Sequence, residues 1–306
     1  MGGGSAGLLI LRLDDPGDNW ICERSCLFWP GKLPNMKKHI LFFFLLLLIF
    51  PYTYAQTVSD KNTLSLSIGP SFPVGHFSST DPSDKLSGYA KAGEAIDIAF
   101  AHEVHNGFGL TAMLFGQRNG LNTNALARQL AETGIVFGFN GASPNHYPNW
   151  TIDKASWYTA SLLAGITEQL PLKKNSKFSF TARALIGAAH VQSPKLNGSS
   201  KTDTSYAVIS QNNASAIAFS YIAGIGLKYQ CGKRIYLFLN ADYFGTAPVS
   251  FKNITESIAA TNGGLTVPGV YSLSNSRQPV WVASFTSNVK QPIGAINGKL
   301  GVALSL

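Results

Sequence analysis

Hydrophobic residues recur at every second position in eight stretches of the chain. That period predicts strands with one face in an apolar medium. In residues 63–72, Leu64, Leu66 and Ile68 share one face, while Ser65, Ser67 and Gly69 share the other. Residues 95–101 set Ile96, Ile98 and Phe100 against Asp97, Ala99 and Ala101. Asn106-Gly107 then marks a tight hairpin, and a third strand runs to about Arg118. In residues 157–170, Tyr158, Ala160, Leu162, Ala164 and Ile166 oppose Thr159, Ser161, Gly165 and Thr167. Phe178, Phe180, Ala182, Ala184 and Ile186 follow, opposite Ser179, Thr181, Arg183 and Gly187. Residues 217–229 and 235–244 repeat the alternation around a Cys231-Gly232-Lys233 turn. In residues 296–306, Leu300, Val302, Leu304 and Leu306 face one way.

The connections between these strands alternate in length. Short turns fall near 103–107, 171–176 and 231–233. Long ones, rich in Ser, Asn, Gly and Pro, fall near 73–91, 119–156, 193–215 and 245–294. A soluble β-sandwich has no reason to put every long loop at one end. A transmembrane barrel does: its apolar face is outside, its interior is polar or small, its periplasmic turns are short and its external loops long. Closure is required because unpaired backbone in hydrocarbon costs several kcal/mol per group. The expected fold class is therefore all-β: an eight-stranded antiparallel transmembrane up-and-down barrel. Residues 280–289 also alternate and are read as an extended arm of the last loop, a ten-stranded barrel being the alternative. Residues 125–132 have helix-forming composition and predict a short surface helix in the second long loop.

One apolar run stands apart. Residues 40–50 follow Lys37, Lys38 and His39 and precede Pro51 to Gln56. An apolar core of eleven residues is too short for a membrane-spanning helix and fits a secretory signal. Residues 36–55 are read as that signal, cut before Gln56, and 1–35 as a spurious upstream extension. The remaining 251 residues, 56–306, carry 19 basic and 12 acidic side chains and one cysteine, Cys231, so no internal disulfide is expected. Only 13% of the whole chain is charged, which excludes a disordered chain or a coiled coil.

The chain resembles small bacterial outer-membrane β-barrels of the outer membrane protein beta-barrel domain family. The resemblance covers most of 63–306. It is carried by residues 69–77 (GPSFPVGHF), 88–93 (GYAKAG), 240–244 (NADYF) and 290–293 (KQPI). It implies a porin-like surface protein placed in the outer membrane by the barrel assembly machinery. Family members usually close on an aromatic residue, whereas this chain ends Leu304-Ser305-Leu306.

Chemistry is sparse. By parity Asp97, Arg183 and Asp242 point inward at similar depth, and Lys228 points inward nearer the periplasmic end. These four are the candidate lumen charge network, read as a plug. No nucleophile elbow, phosphate-cradling loop or metal-ligand spacing occurs, so no catalytic residue, cofactor or metal is assigned. His190 with Ser193 is the single enzyme-like pair that can be named, for a lipid-modifying reaction. Dispersed Lys and Arg argue against nucleic acid. Lys85, Lys91, Arg118, Arg128, Lys154, Lys195 and Lys201 fall in the outer loops or at outer strand ends. They make lipopolysaccharide, beside the other outer-membrane lipids, a candidate partner of a monomeric barrel. The expected function is a non-enzymatic outer-membrane protein presenting long loops for envelope integrity, adhesion or partner binding. A passive solute pore and a lipid-modifying enzyme are the alternatives.

Overall fold

The computed structural model describes residues 61–132, 149–173, 176–201, 206–261, 271–272 and 280–306. The proposed signal and the upstream segment lie outside them. In chain order the strands are β1 (Asn62–Pro73), β2 (Ala90–His105), β3 (Phe108–Leu121), β4 (Trp150–Ile152), β5 (Ser156–Pro171), β6 (Phe178–Gln192) and β7 (Leu196–Lys201). They continue as β8 (Tyr206–Gln211), β9 (Ser215–Gln230), β10 (Ile235–Thr246), β11 (Val249–Thr261), β12 (Tyr271–Ser272), β13 (Val280–Gln291) and β14 (Gly294–Ser305). Among the described residues one α-helix, α1 (Thr123–Glu132), follows β3.

Eight of these strands form a closed antiparallel barrel in the order β1-β14-β10-β9-β6-β5-β3-β2. Each barrel strand is 12–16 residues long. The first and last strands seal the cylinder, with Leu66 opposite both Ile98 and Val302. All three short turns and both barrel termini share one rim. The β2–β3 turn is Asn106-Gly107, with φ of +47° and +84°. Two consecutive positive φ values are what a type I′ hairpin needs, and Asn-Gly tolerates them.

The two faces of the wall differ as the alternation predicts. Leu66, Ile98, Leu162 and Leu237 point outward and are 53%, 48%, 63% and 44% exposed. A water-soluble sandwich would have packed them against one another. Many inward positions are small or polar, with Ser67, Ser71, Ala95, Ala99, Thr111, Thr159, Ser161 and Ser220 all buried, and large apolar side chains such as Met113, Leu163 and Leu185 fill space between them. An eight-stranded barrel leaves an interior that side chains can just fill.

The long connections contain more order than their composition suggests. β4, β7, β8, β11, β12 and β13 form a second, six-stranded antiparallel sheet in the order β12-β13-β11-β8-β7-β4. Residues 280–289 belong to it: β13 pairs with β11, as the arm of the last loop, and adds no ninth strand to the barrel. The helix is less superficial than its composition implies, since Leu126, Gln129 and Leu130 are buried. Loop one contributes a 3-10 turn (Gly75–Phe77), and its Phe77 packs edge-on to Trp157 at 5.6 Å. Phe251 of β11 approaches Trp157 at 6.0 Å from another direction. The loops therefore build a cap with its own core, in which Val249, Phe251, Ile254, Ile258 and Ile209 are buried. Those residues are continuous with Phe244, Leu185 and Met113 of the barrel strands.

Candidate functional site: a charged lumen beneath a folded cap

Four side chains from four strands meet inside the barrel. Arg183 on β6 donates from Nε to Asp242 Oδ1 at 2.9 Å and from a terminal guanidinium nitrogen to Asp242 Oδ2 at 2.6 Å. This two-point contact is the strong form of the Arg–carboxylate pair. β9 lies between the two strands, and the residue opposite both Arg183 and Asp242 is Gly224. A Cβ there would overlap the Asp242 carboxylate. Absence of a side chain at 224 is thus what lets Arg183 reach across a whole strand.

Lys299 on β14 completes the set. Its Nζ lies 2.9 Å from Asp242 Oδ2 and also contacts Asp97 Oδ2. The Arg183 guanidinium is 3.9 Å from Asp97 Oδ2. Asp97, Asp242 and Lys299 are essentially inaccessible. Two cations and two anions leave the cluster neutral. Burial makes such a group a weak source of stability, but loss of one member strands a charge in a low-dielectric interior.

The predicted residues are thus placed as follows. Asp97, Arg183 and Asp242 come together. Lys228 does not join them: it points into the lumen nearer the short-turn rim, donates to Gln169 Oε1 at 3.0 Å, and sits 4.1 Å from the Tyr236 ring centre. Lys299 takes the fourth place. Parity along the last strand holds the signal for it, since an outward Leu300 turns Lys299 inward.

Above the cluster, Phe115 and Phe244 stack with ring centres 4.8 Å apart. Lys299 Nζ lies 5.1 Å from the Phe115 ring centre, close enough for cation–π attraction. Higher still, Trp157 Nε1 donates to Gly88 O at 3.0 Å, and Gln291 Nε2 donates to Leu86 O at 2.8 Å. These two bonds pin loop one across the barrel mouth. Tyr89 is held there with φ of +51°. Its hydroxyl donates to Gln129 Oε1 of α1, and burial with the charges of Asp81 and Asp84 pushes its pKa up to about 12. Nearby, His76 Nδ1 lies 2.7 Å from Asp84 Oδ2. That hydrogen bond, with one from the Leu86 amide, holds the Asp84 carboxyl below its ordinary range.

His190 and Ser193 occupy different surroundings. His190 is exposed on the outer wall. Ser193 is buried, and its Oγ accepts from the Ala214 amide at 2.9 Å. Cys231 is a free, exposed thiol in the β9–β10 turn. Among the described residues no group of three or more His, Cys, Asp or Glu side chains could hold a metal ion.

No protein-family model and no curated protein matches the sequence. Solved structures with a similar fold include Neisserial surface protein A, at 8% identity and a TM-score of 0.36, covering 80% of this chain and 97% of that one. A major outer membrane protein of Thermus thermophilus has 11% identity and a TM-score of 0.37, covering 79% and 98%. Ail, the attachment invasion locus protein of Yersinia pestis, has 15% identity and a TM-score of 0.33, covering 80% and 99%. Each is a likeness in barrel architecture.

Proposed function

We propose that this protein is an integral outer-membrane barrel without enzymatic activity. Its capped outer end is the working surface, offered for envelope integrity, adhesion or partner binding. The observation that carries this reading is the pairing of an apolar exterior with a lumen crossed by the neutral Asp97–Arg183–Asp242–Lys299 cluster. The exterior calls for lipid, since burying apolar surface of this kind is worth about 25 cal/mol per Å². The cluster supports a plugged cylinder over a conduit, and the cap above it supports the same reading. Chain length beyond the wall is invested in a folded sheet with a hydrophobic core, which suits a surface that must keep its shape.

Planar-bilayer recording tests the reading against a pore. Purified protein inserted into a bilayer gives no steady single-channel conductance if the plug holds. Steady conductance would replace this reading with that of a small-solute channel. For the enzymatic rival, His190→Ala leaves the lipid A profile of the cell unchanged; an altered profile would overturn the non-enzymatic assignment.

A further inference from the structure

The outer rim of the barrel has two chemically different halves. On β1, β14, β10 and β9 the outward residues that end the apolar belt are Phe72, Ile296, Tyr243, Tyr221, Phe219 and Ile217, all exposed. None carries a charge. On β2 and β3 the belt ends instead in cations, and further cations flank the outer ends of β5 and β6. Arg118 on β3 lies two positions above Gly116 and four above Leu114, exposed, with its guanidinium 5.6 Å from the ring centre of outward Tyr158 on β5. Lys91 on β2 is exposed beside Gly120 of β3. Lys154 and Lys195 are exposed on the segments that lead into β5 and out of β6. The bond from Asp153 N to Asn197 O draws those two segments together. Two acids lie among them: Glu94, 3.7 Å from Arg118, and exposed Asp153. The excess on this half is two positive charges. Lys252 and Lys290 stand on cap strands β11 and β13, which follow β10 and precede β14 past their outer ends.

We propose that the β2–β3–β5–β6 side of this rim binds the phosphates of a phosphorylated glycolipid in the outer leaflet. The inference rests on the outer-membrane reading above and deepens it. Phosphate oxygens take up charge-assisted hydrogen bonds from Arg and Lys. An amphipathic aromatic such as Tyr158 sits at the headgroup level of a barrel, where rings belong. Arg118 stacked on that ring is held at the same level as a phosphate and has donors to spare beyond its long contact with Glu94. Acyl chains of the same lipid would lie against Leu114 and Leu162, immediately below. The opposite half of the rim offers only ring and aliphatic surface, so occupancy is one-sided.

The test uses the full barrel refolded in detergent micelles and titrated with lipid A carrying both phosphates, with lipid A from which the phosphates have been removed, and with phosphatidylglycerol. Native mass spectrometry counts the bound lipid. The bisphosphorylated form is expected to bind at least about tenfold better than either comparison lipid. Each cation near a charged membrane surface is worth about fivefold, so Lys91→Ala with Arg118→Gln should weaken it by roughly 25-fold. Lys252→Ala with Lys290→Ala should leave it unchanged. Equal binding of the dephosphorylated form, equal binding of phosphatidylglycerol, or full retention in the Lys91/Arg118 variant would each overturn the inference. Insertion into liposomes is scored on protein from the same preparations by co-flotation with the vesicles after an alkaline wash. A failure of the membrane reading then shows as no insertion, and a failure of the rim alone shows as insertion without phosphate dependence.

Discussion

Replacing Lys299 by Met removes the cation that touches both aspartates while keeping an unbranched side chain of similar length. Asp97 and Asp242 then face Arg183 alone, and the lumen holds one uncompensated negative charge. Breaking a buried ion pair in this way costs about 3–5 kcal/mol. Asp97→Asn leaves one uncompensated positive charge instead, at a comparable cost of about 3–5 kcal/mol. Made together, the two changes restore neutrality and preserve the two-point Arg183–Asp242 contact at 2.9 and 2.6 Å. The double variant should therefore be no less stable than either single one, whereas independent effects would sum to about 6–10 kcal/mol. A coupling of at least about 3 kcal/mol is expected, at or above the top of the usual range for contacting residues. Urea unfolding in detergent micelles, followed by tryptophan fluorescence, measures all four corners of the cycle. Single variants within about 0.5 kcal/mol of the parent, or additive losses in the double, would refute the account of a closed, neutral cluster.

Other consequences follow from the same geometry. Gly224→Ala puts a methyl group where the Asp242 carboxylate lies; overpacking of this kind costs about 1–3 kcal/mol, read as a lower urea midpoint, and an unchanged midpoint would contradict the reach of Arg183 over β9. The Asp84 carboxyl is held below its ordinary value of 3.8. Its contribution to loop one is therefore complete above that pH and is lost as pH falls below it. Hydrogen exchange at the Leu86 amide, which donates to Asp84 Oδ1 at 2.9 Å, should show protection at about pH 5 that disappears near pH 2. Retained protection would remove that pair from the cap's supports. Cys231 lies in a turn at the rim opposite the cap. A bulky maleimide-polyethylene glycol reagent should label it only after the outer membrane is opened, while Lys201→Cys in a Cys231→Ser background should label on intact cells. The reverse pattern would invert the orientation.

The barrel was legible in the chain because its physics is local. A lipid-facing position and a lumen-facing position alternate residue by residue, so Leu162 next to Ser161 already states which is which. Asn106-Gly107 states a turn by its backbone tolerance alone. Lys299 was less visible, because its meaning depends on β14 closing between β1 and β10, a contact between the two ends of the barrel. Apart from the extended arm at 280–289, the cap sheet reads as loop in the sequence for three reasons. β4, β7 and β8 are only three to six residues long. Their buried positions include Ser200 and Gln211, which do not announce a core. In β11 the alternation itself breaks: Val249 and Phe251 are buried at odd positions, then Ile254 and Ile258 at even ones. A register shift between Phe251 and Ile254, with Asn253 at φ of +56°, exchanges the two faces. A bulge of this kind is invisible to a strict two-residue period.

The exterior remains the point on which everything else depends. A nitroxide attached at Leu162→Cys in the Cys231→Ser protein, reconstituted into liposomes, reports its surroundings through its relaxation by oxygen and by a water-soluble nickel chelate. High oxygen and low nickel accessibility at 162, with the opposite at a label on Lys201→Cys, is the expected result. High nickel accessibility at position 162, or shielding there from both reagents, would contradict a wall that faces lipid.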